Sequence, residues 1–129
     1  MSSNLNGQKA IVVGAYGGMG GAVSTALCRE GVSCVLLGRN EEKLAEITAK
    51  CNEYGDFAFP SLFDISDLQS IQSVVNDAIG KLGGLNYLIN FAGVHNRGKA
   101  YEADMDAWDE VLDINFRATY YLARHALPV

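Results

Sequence analysis

Four short apolar runs recur along the chain, each separated from the next by a stretch with helical periodicity, and this alternation limits the possible folds most severely. Residues 9–13, 32–37, 57–63 and 85–90 read as strands, the third weakened or ended by Pro60. Between them, residues 18–30 read as a helix stopped by Gly31. Residues 41–52 form an amphipathic helix with Leu44, Ile47 and Cys51 on one face and two acids in its first turn. Ser66 and Gln69 have the spacing of a capping box, opening a helix that turns Leu68, Ile71, Val74, Val75 and Ile79 inward and closes at Gly80, Gly83 and Gly84. After a loop over 92–102, a last helix runs from about 104 to 125, ahead of Pro128.

Strands joined through helices of ten or more residues pair in parallel, with right-handed crossovers. Strands apolar on both faces need helices on both sides. The expected class is therefore α/β, a doubly wound parallel sheet. No repeat, low-complexity tract or linker interrupts it, and 129 residues suit a single domain over 1–129.

Composition removes several classes of function. Ten Lys and Arg stand against fifteen Asp and Glu without any basic run, so nucleic acid is not an expected partner. No apolar stretch approaches the roughly 20 residues of a membrane span, and the polar start lacks the pattern of a signal peptide. Cys28, Cys34 and Cys51 are odd in number and form no Cys-x-x-Cys pair, so neither a disulfide framework nor a metal site is expected. Buried thiols in a reducing compartment, and hence a cytoplasmic location, are the expectation.

The most informative segment follows the first strand: Gly14-Ala15-Tyr16-Gly17-Gly18-Met19-Gly20, directly before a helix. Glycines here permit a tight turn and bring backbone N–H groups close to a phosphate, while the helix directs its positive end to the same place. Inside a βαβ unit this is the context of a dinucleotide-binding fingerprint, spaced G-x-x-x-G-x-G.

That spacing resembles the cofactor turn of the short-chain dehydrogenases/reductases. Four further segments match the family in order: Gly38-Arg39-Asn40, Asp64-Ile65, Asn90-Phe91-Ala92-Gly93, and Asn115 in the last helix. The resemblance implies a Rossmann-type sheet of strand order 3-2-1-4, ending after the fourth strand and its helix and incomplete relative to the family. It implies that Gly14, Gly18 and Gly20, with Met19 beside them, hold the pyrophosphate of a nicotinamide dinucleotide. Asp64 and Ile65 would meet the adenine, and Asn90, Ala92 and Gly93 the ribose and the approach to the nicotinamide. Asn115 would position the water and lysine of a proton relay, the one catalytic assignment in the chain. Taken alone, Asp64 would begin a turn with Ser66, and Asn115 would be a polar residue on an apolar helix. Their order along the chain favours the site. Tyr16 either lies over the cofactor or points to solvent. Val13 replaces the family's Thr and Phe91 its second Asn, each removing a side-chain brace.

An NAD site would place an acid at the end of the second strand; Gly38 stands there and Arg39 follows. A guanidinium suits a 2′-phosphate, so NADP(H) is the expected cofactor, with NAD(H) possible. The family's Ser and Tyr-x-x-x-Lys are absent, and Tyr120-x-x-x-Arg124 reads as a helix-surface pair. His95 and His125 are expected to be solvated. The expectation is the cofactor half of an oxidoreductase moving hydride between nicotinamide and a carbonyl or alcohol carbon; the alternative is a non-catalytic dinucleotide-binding module or sensor. A flavodoxin-like receiver is disfavoured because its acidic cluster is absent. A small carbonyl or alcohol substrate would belong to the residues that are missing.

A homo-oligomer is also expected. The fourth strand would be an open edge, and Leu85, Tyr87, Leu88 and Ile89 include no Lys or Pro to discourage pairing. Trp108, Leu112, Phe116 and Thr119 form one helical stripe while Val111, Ile114 and Tyr121 lie elsewhere on the helix, more apolar surface than one sheet face buries.

Overall fold

The computed structural model describes residues 4–94, 99–102 and 104–128. Its sheet has four parallel strands: β1 (Lys9–Val13), β2 (Ser33–Gly38), β3 (Ala58–Leu62) and β4 (Tyr87–Asn90). Their order is β3-β2-β1-β4, as expected. Helices α1 (Gly18–Arg29), α2 (Glu41–Cys51) and α3 (Ile71–Leu82) make the crossovers. The last helical stretch is α4 (Met105–Leu112), a π-helical segment (Asp113–Arg117) and α5 (Ala118–Ala126).

Side-chain alternation along the strands builds two cores. Ala10 and Val12 of β1, with Cys34 and Leu36 of β2, face Cys28 of α1 and Leu44, Ile47 and Cys51 of α2. Ile11, Val13, Val35 and Leu37 point the other way, toward Ile71, Val75, Ala78 and Leu82 of α3 and Ala118, Leu122 and Ala126 of α5. Both faces of the inner strands are thus buried, which explains their unbroken apolar sequence. The three cysteines are free and buried. The Cys28 thiol is pushed up to about 12, first by its hydrogen bond with Cys34 and further by burial, against an opposing bond from Cys51.

Several local expectations need correction. Strand β3 continues through Pro60, which sits opposite Leu36; an edge position tolerates a residue without an N–H. The capping box does not form. Ser66 donates through its hydroxyl to Asp64 Oδ1 at 2.7 Å, and α3 begins only at Ile71, after a 3-10 turn over Leu68–Ser70. Gly80 lies inside α3, and Gly83 ends it in the left-handed conformation (φ +75°). The last helix, by contrast, carries more apolar surface than it buries, as expected: Ile114, Ala118, Leu122 and Ala126 are buried, whereas Trp108, Leu112 and Phe116 are exposed. His95 lies outside the described residues. Among the described residues, no helix is long and apolar enough to cross a membrane.

Candidate functional site

A cleft of about 400 Å³ lies at the carboxyl ends of β1, β2 and β4. The strand order reverses at β1, with β2 on one side and β4 on the other. Ligands of open α/β sheets bind in the crevice at such a switch point.

The glycine turn forms the cleft's floor. Gly14 leaves β1 with φ +73°, and its N–H and that of Ala15 both donate to the Leu37 carbonyl, at 2.9 and 3.2 Å. A Cβ on Gly20 would come 1.9 Å from the Gly14 carbonyl oxygen, so α1 can rest on the turn only if this residue has no side chain. A Cβ on Gly17 or Gly18 would meet nothing within 4 Å, which leaves room beside the turn. The helical ladder starts with Gly21 N–H donating to Gly17 O, so the N–H groups of Gly18, Met19 and Gly20 precede it. The N-cap is Gly17, which has no side chain to satisfy them. This arrangement suits an anionic group.

A side-chain hydroxyl, a backbone bond and packing tie the chain at the two places where the family's braces are missing. Ser24, buried in α1, donates its hydroxyl to the Ala15 carbonyl at 3.3 Å and ties the helix to the turn. Phe91 N–H donates to Val13 O at 2.8 Å, and its ring packs on the α1–α2 core.

Of the residues singled out in the sequence, Gly14, Tyr16, Gly18, Met19, Gly20, Arg39, Ile65, Ala92 and Gly93 line the cleft. Asp64, Asn90 and Asn115 do not; each is engaged at its rim. Asp64 Oδ1 accepts from the Ser66 N–H at 3.0 Å as well as from the Ser66 hydroxyl. These two bonds hold the carboxyl below its ordinary value; burial opposes them and the Arg39 guanidinium adds to them. Asn90 accepts from Ala92 N–H at 2.9 Å and donates to Thr119 Oγ1 at 3.1 Å. Asn115, within the π-helical segment, accepts from Val94 N–H at 2.7 Å and donates to the Val94 carbonyl. Both arms of its amide thus hold the segment after β4 to the last helix.

Tyr16 does not project into solvent; it is half-buried in the wall of the cleft. Its ring lies against Gly38, and its hydroxyl oxygen accepts from Arg39 N–H at 3.0 Å and Asn40 N–H at 2.8 Å. Sequence reasoning also missed the apolar walls Phe63, Val94 and Ile114. Phe63 was findable as the residue ending the third apolar run. Val94 carries no such signal, because Asn115 holds it through its backbone.

The sequence profile of the family described as short chain dehydrogenase matches residues 8–129. An uncharacterized oxidoreductase of Staphylococcus aureus (strain USA300) is 34% identical over 124 residues, which cover 96% of this chain and 53% of that protein. Among solved structures, a putative short-chain alcohol dehydrogenase from Sinorhizobium meliloti 1021 superposes with a TM-score of 0.88 at 31% identity, over 94% of this chain and 48% of that one. A short-chain dehydrogenase/reductase from Serratia marcescens BCRC 10948 gives 0.93 at 25% identity, over 98% and 52%. The chain therefore spans about half the length of the relatives it matches.

Proposed function

Because the chain belongs to the short-chain dehydrogenase family, we propose that its cleft binds a nicotinamide dinucleotide, NADP(H) in preference to NAD(H), as the cofactor half of an oxidoreductase. The observation that carries this reading is the glycine turn at the switch point, with open space at Gly17 and Gly18 beside the unladdered N–H groups of α1. Gly14, Gly18, Met19 and Gly20 would hold the pyrophosphate. Asp64 and Ile65 would meet the adenine, and Asn90, Ala92 and Gly93 the ribose and the path to the nicotinamide. When bound, the cofactor gives or accepts a hydride at its nicotinamide ring. Asn115 would serve the proton relay by fixing the Val94 segment at the cleft's edge. A carbonyl or alcohol is the proposed substrate class, and a homo-oligomer in the cytoplasm the proposed setting.

The preference for NADP(H) rests on Gly38 and Arg39, a missing acid followed by an exposed guanidinium. A charge-assisted bond from Arg39 to a 2′-phosphate is worth about 1.5–3 kcal/mol, roughly 10- to 150-fold in affinity. Calorimetry with NADPH and NADH on wild type and Arg39→Ala tests it. Tighter NADPH binding that Arg39→Ala abolishes is expected; equal affinities, or no effect of the substitution, would refute the preference.

A further inference from the structure

The side chain of Tyr16 is the common wall of two cavities. On one side is the cleft; on the other is a groove of about 600 Å³ between α1 and α2, bordered by Thr25, Lys43 and Ile47. The ring lies so close to Gly38 that a Cβ there would come 2.3 Å from Tyr16 Cε1, and Lys43 Nζ stands 5.9 Å from the ring centroid. The phenol oxygen holds the backbone N–H groups of Arg39 and Asn40. In this position Tyr16 fills the space where the acid of an NAD site would lie, and it occupies the two donors next to Arg39.

Resting on the reading of the cleft as a dinucleotide site, we infer that Tyr16 is a specificity-determining gate, which the 2′-phosphate of the cofactor displaces from the Arg39 and Asn40 N–H groups into the α1–α2 groove. A phosphate dianion accepts from those donors in charge-assisted bonds, which are about twice as strong as the neutral bonds to a phenol. A ribose 2′-hydroxyl brings no such charge and leaves the tyrosine in place. The groove supplies the room for the displaced ring, and Lys43, which already stands near the ring in the closed position, borders it. Gly38 is thus needed for the closed position, since any side chain there would lift the ring off.

The test follows Tyr16 and the two amides by NMR while the chain is titrated with adenosine 2′,5′-bisphosphate or with 5′-AMP. The bisphosphate should shift the Tyr16 ring signals and the Arg39 and Asn40 amides together, whereas 5′-AMP should leave the ring signals where they are. In parallel, Tyr16→Phe removes the two hydrogen bonds that the phosphate must break. It should tighten NADPH binding about tenfold and leave NADH unchanged. Gly38→Ala, without ligand, should move the same amides as the bisphosphate does. Binding of the bisphosphate with the Tyr16 signals unmoved would overturn the gate, as would Tyr16→Phe leaving NADPH affinity the same or weaker. If neither nucleotide and neither dinucleotide binds wild type or Tyr16→Phe, the reading of the cleft itself fails and the gate falls with it.

Discussion

The Asn40 N–H donates to the Tyr16 hydroxyl oxygen at 2.8 Å, joining the glycine turn to the start of α2 across 24 residues. Two loops that a ligand would have to touch together are thus already fastened to each other. Arg39, in the second of these loops, is placed by its backbone and remains exposed.

Two glycines of the turn should behave oppositely. Gly20→Ala forces a methyl to 1.9 Å from a backbone oxygen and should cost about 3 kcal/mol or more, read as a fall in the urea midpoint. Gly18→Ala adds a methyl in open space at a helical position and should raise stability by about 0.5–1 kcal/mol. If the cleft holds a pyrophosphate there, that same change weakens NADPH binding in calorimetry.

Asp64 should contribute to acid sensitivity. Its folded pKa lies below the ordinary value of 3.8, so its contribution is present above that value and is lost as pH falls through the lower, folded one. Comparing wild type with Asp64→Ala in urea melts from neutral to acidic pH should show a stability difference that shrinks below about pH 4. A difference that grows on acidification would contradict the Ser66 bonds as its source.

The last helix offers a paired test. Leu122 is fully buried, and Leu122→Ala should cost about 2–5 kcal/mol. Phe116 is 73% exposed, so Phe116→Asp should leave stability within about 0.5 kcal/mol. If the Trp108–Leu112–Phe116 face joins copies of the chain, the Asp variant should sediment as a smaller species than wild type at equal concentration.

The chain as given carries no Tyr-x-x-x-Lys, so acid–base assistance at the substrate oxygen is expected to be absent. Loss of that assistance lowers rate by about 10²–10⁴. A spectrophotometric assay with NADPH and a panel of ketones and aldehydes should show no sustained oxidation; turnover at an enzyme-like rate would place the chemistry elsewhere.

The order of elements and the parallel pairing were legible because buried parallel strands must be apolar throughout and their crossovers must be long, whereas the strand order came from the resemblance to the family. Nine of the cleft's lining residues were legible, the glycines of the turn from their spacing and the others, at the ends of strands, chiefly through the resemblance to the family. Side-chain direction was not. Ser66 had the spacing to cap a helix, but the Asp64 carboxylate two residues earlier took both of its donors. The surplus of apolar residues on the last helix was legible, but not which stripe is buried: the small Ala118 and Ala126 let their face pack with α3, while Phe116 stays outside. Asn115 was legible as a polar residue in a significant place, yet its pairing with Val94 depends on a loop conformation that no local pattern encodes.

Strand β1 receives its two neighbours at very different distances along the chain. Lys9 faces Ser33 of β2, 24 residues on, whereas its own N–H reaches Asn86, 77 residues on, where β4 is about to begin. Closing the longer loop costs about 1 kcal/mol more in chain entropy than the shorter. Pairings of such separation slow the folding of a chain as a whole. The β1–β2–β3 part with α1 and α2 pairs between near neighbours in the chain, whereas β4 must close the longer loop to dock on β1. Since Ala92, just past β4, lies against Gly14, the cleft is complete only once β4 has docked. A ligand held between the two would act on that step, slowing the release of β4 and thereby the unfolding of the whole chain.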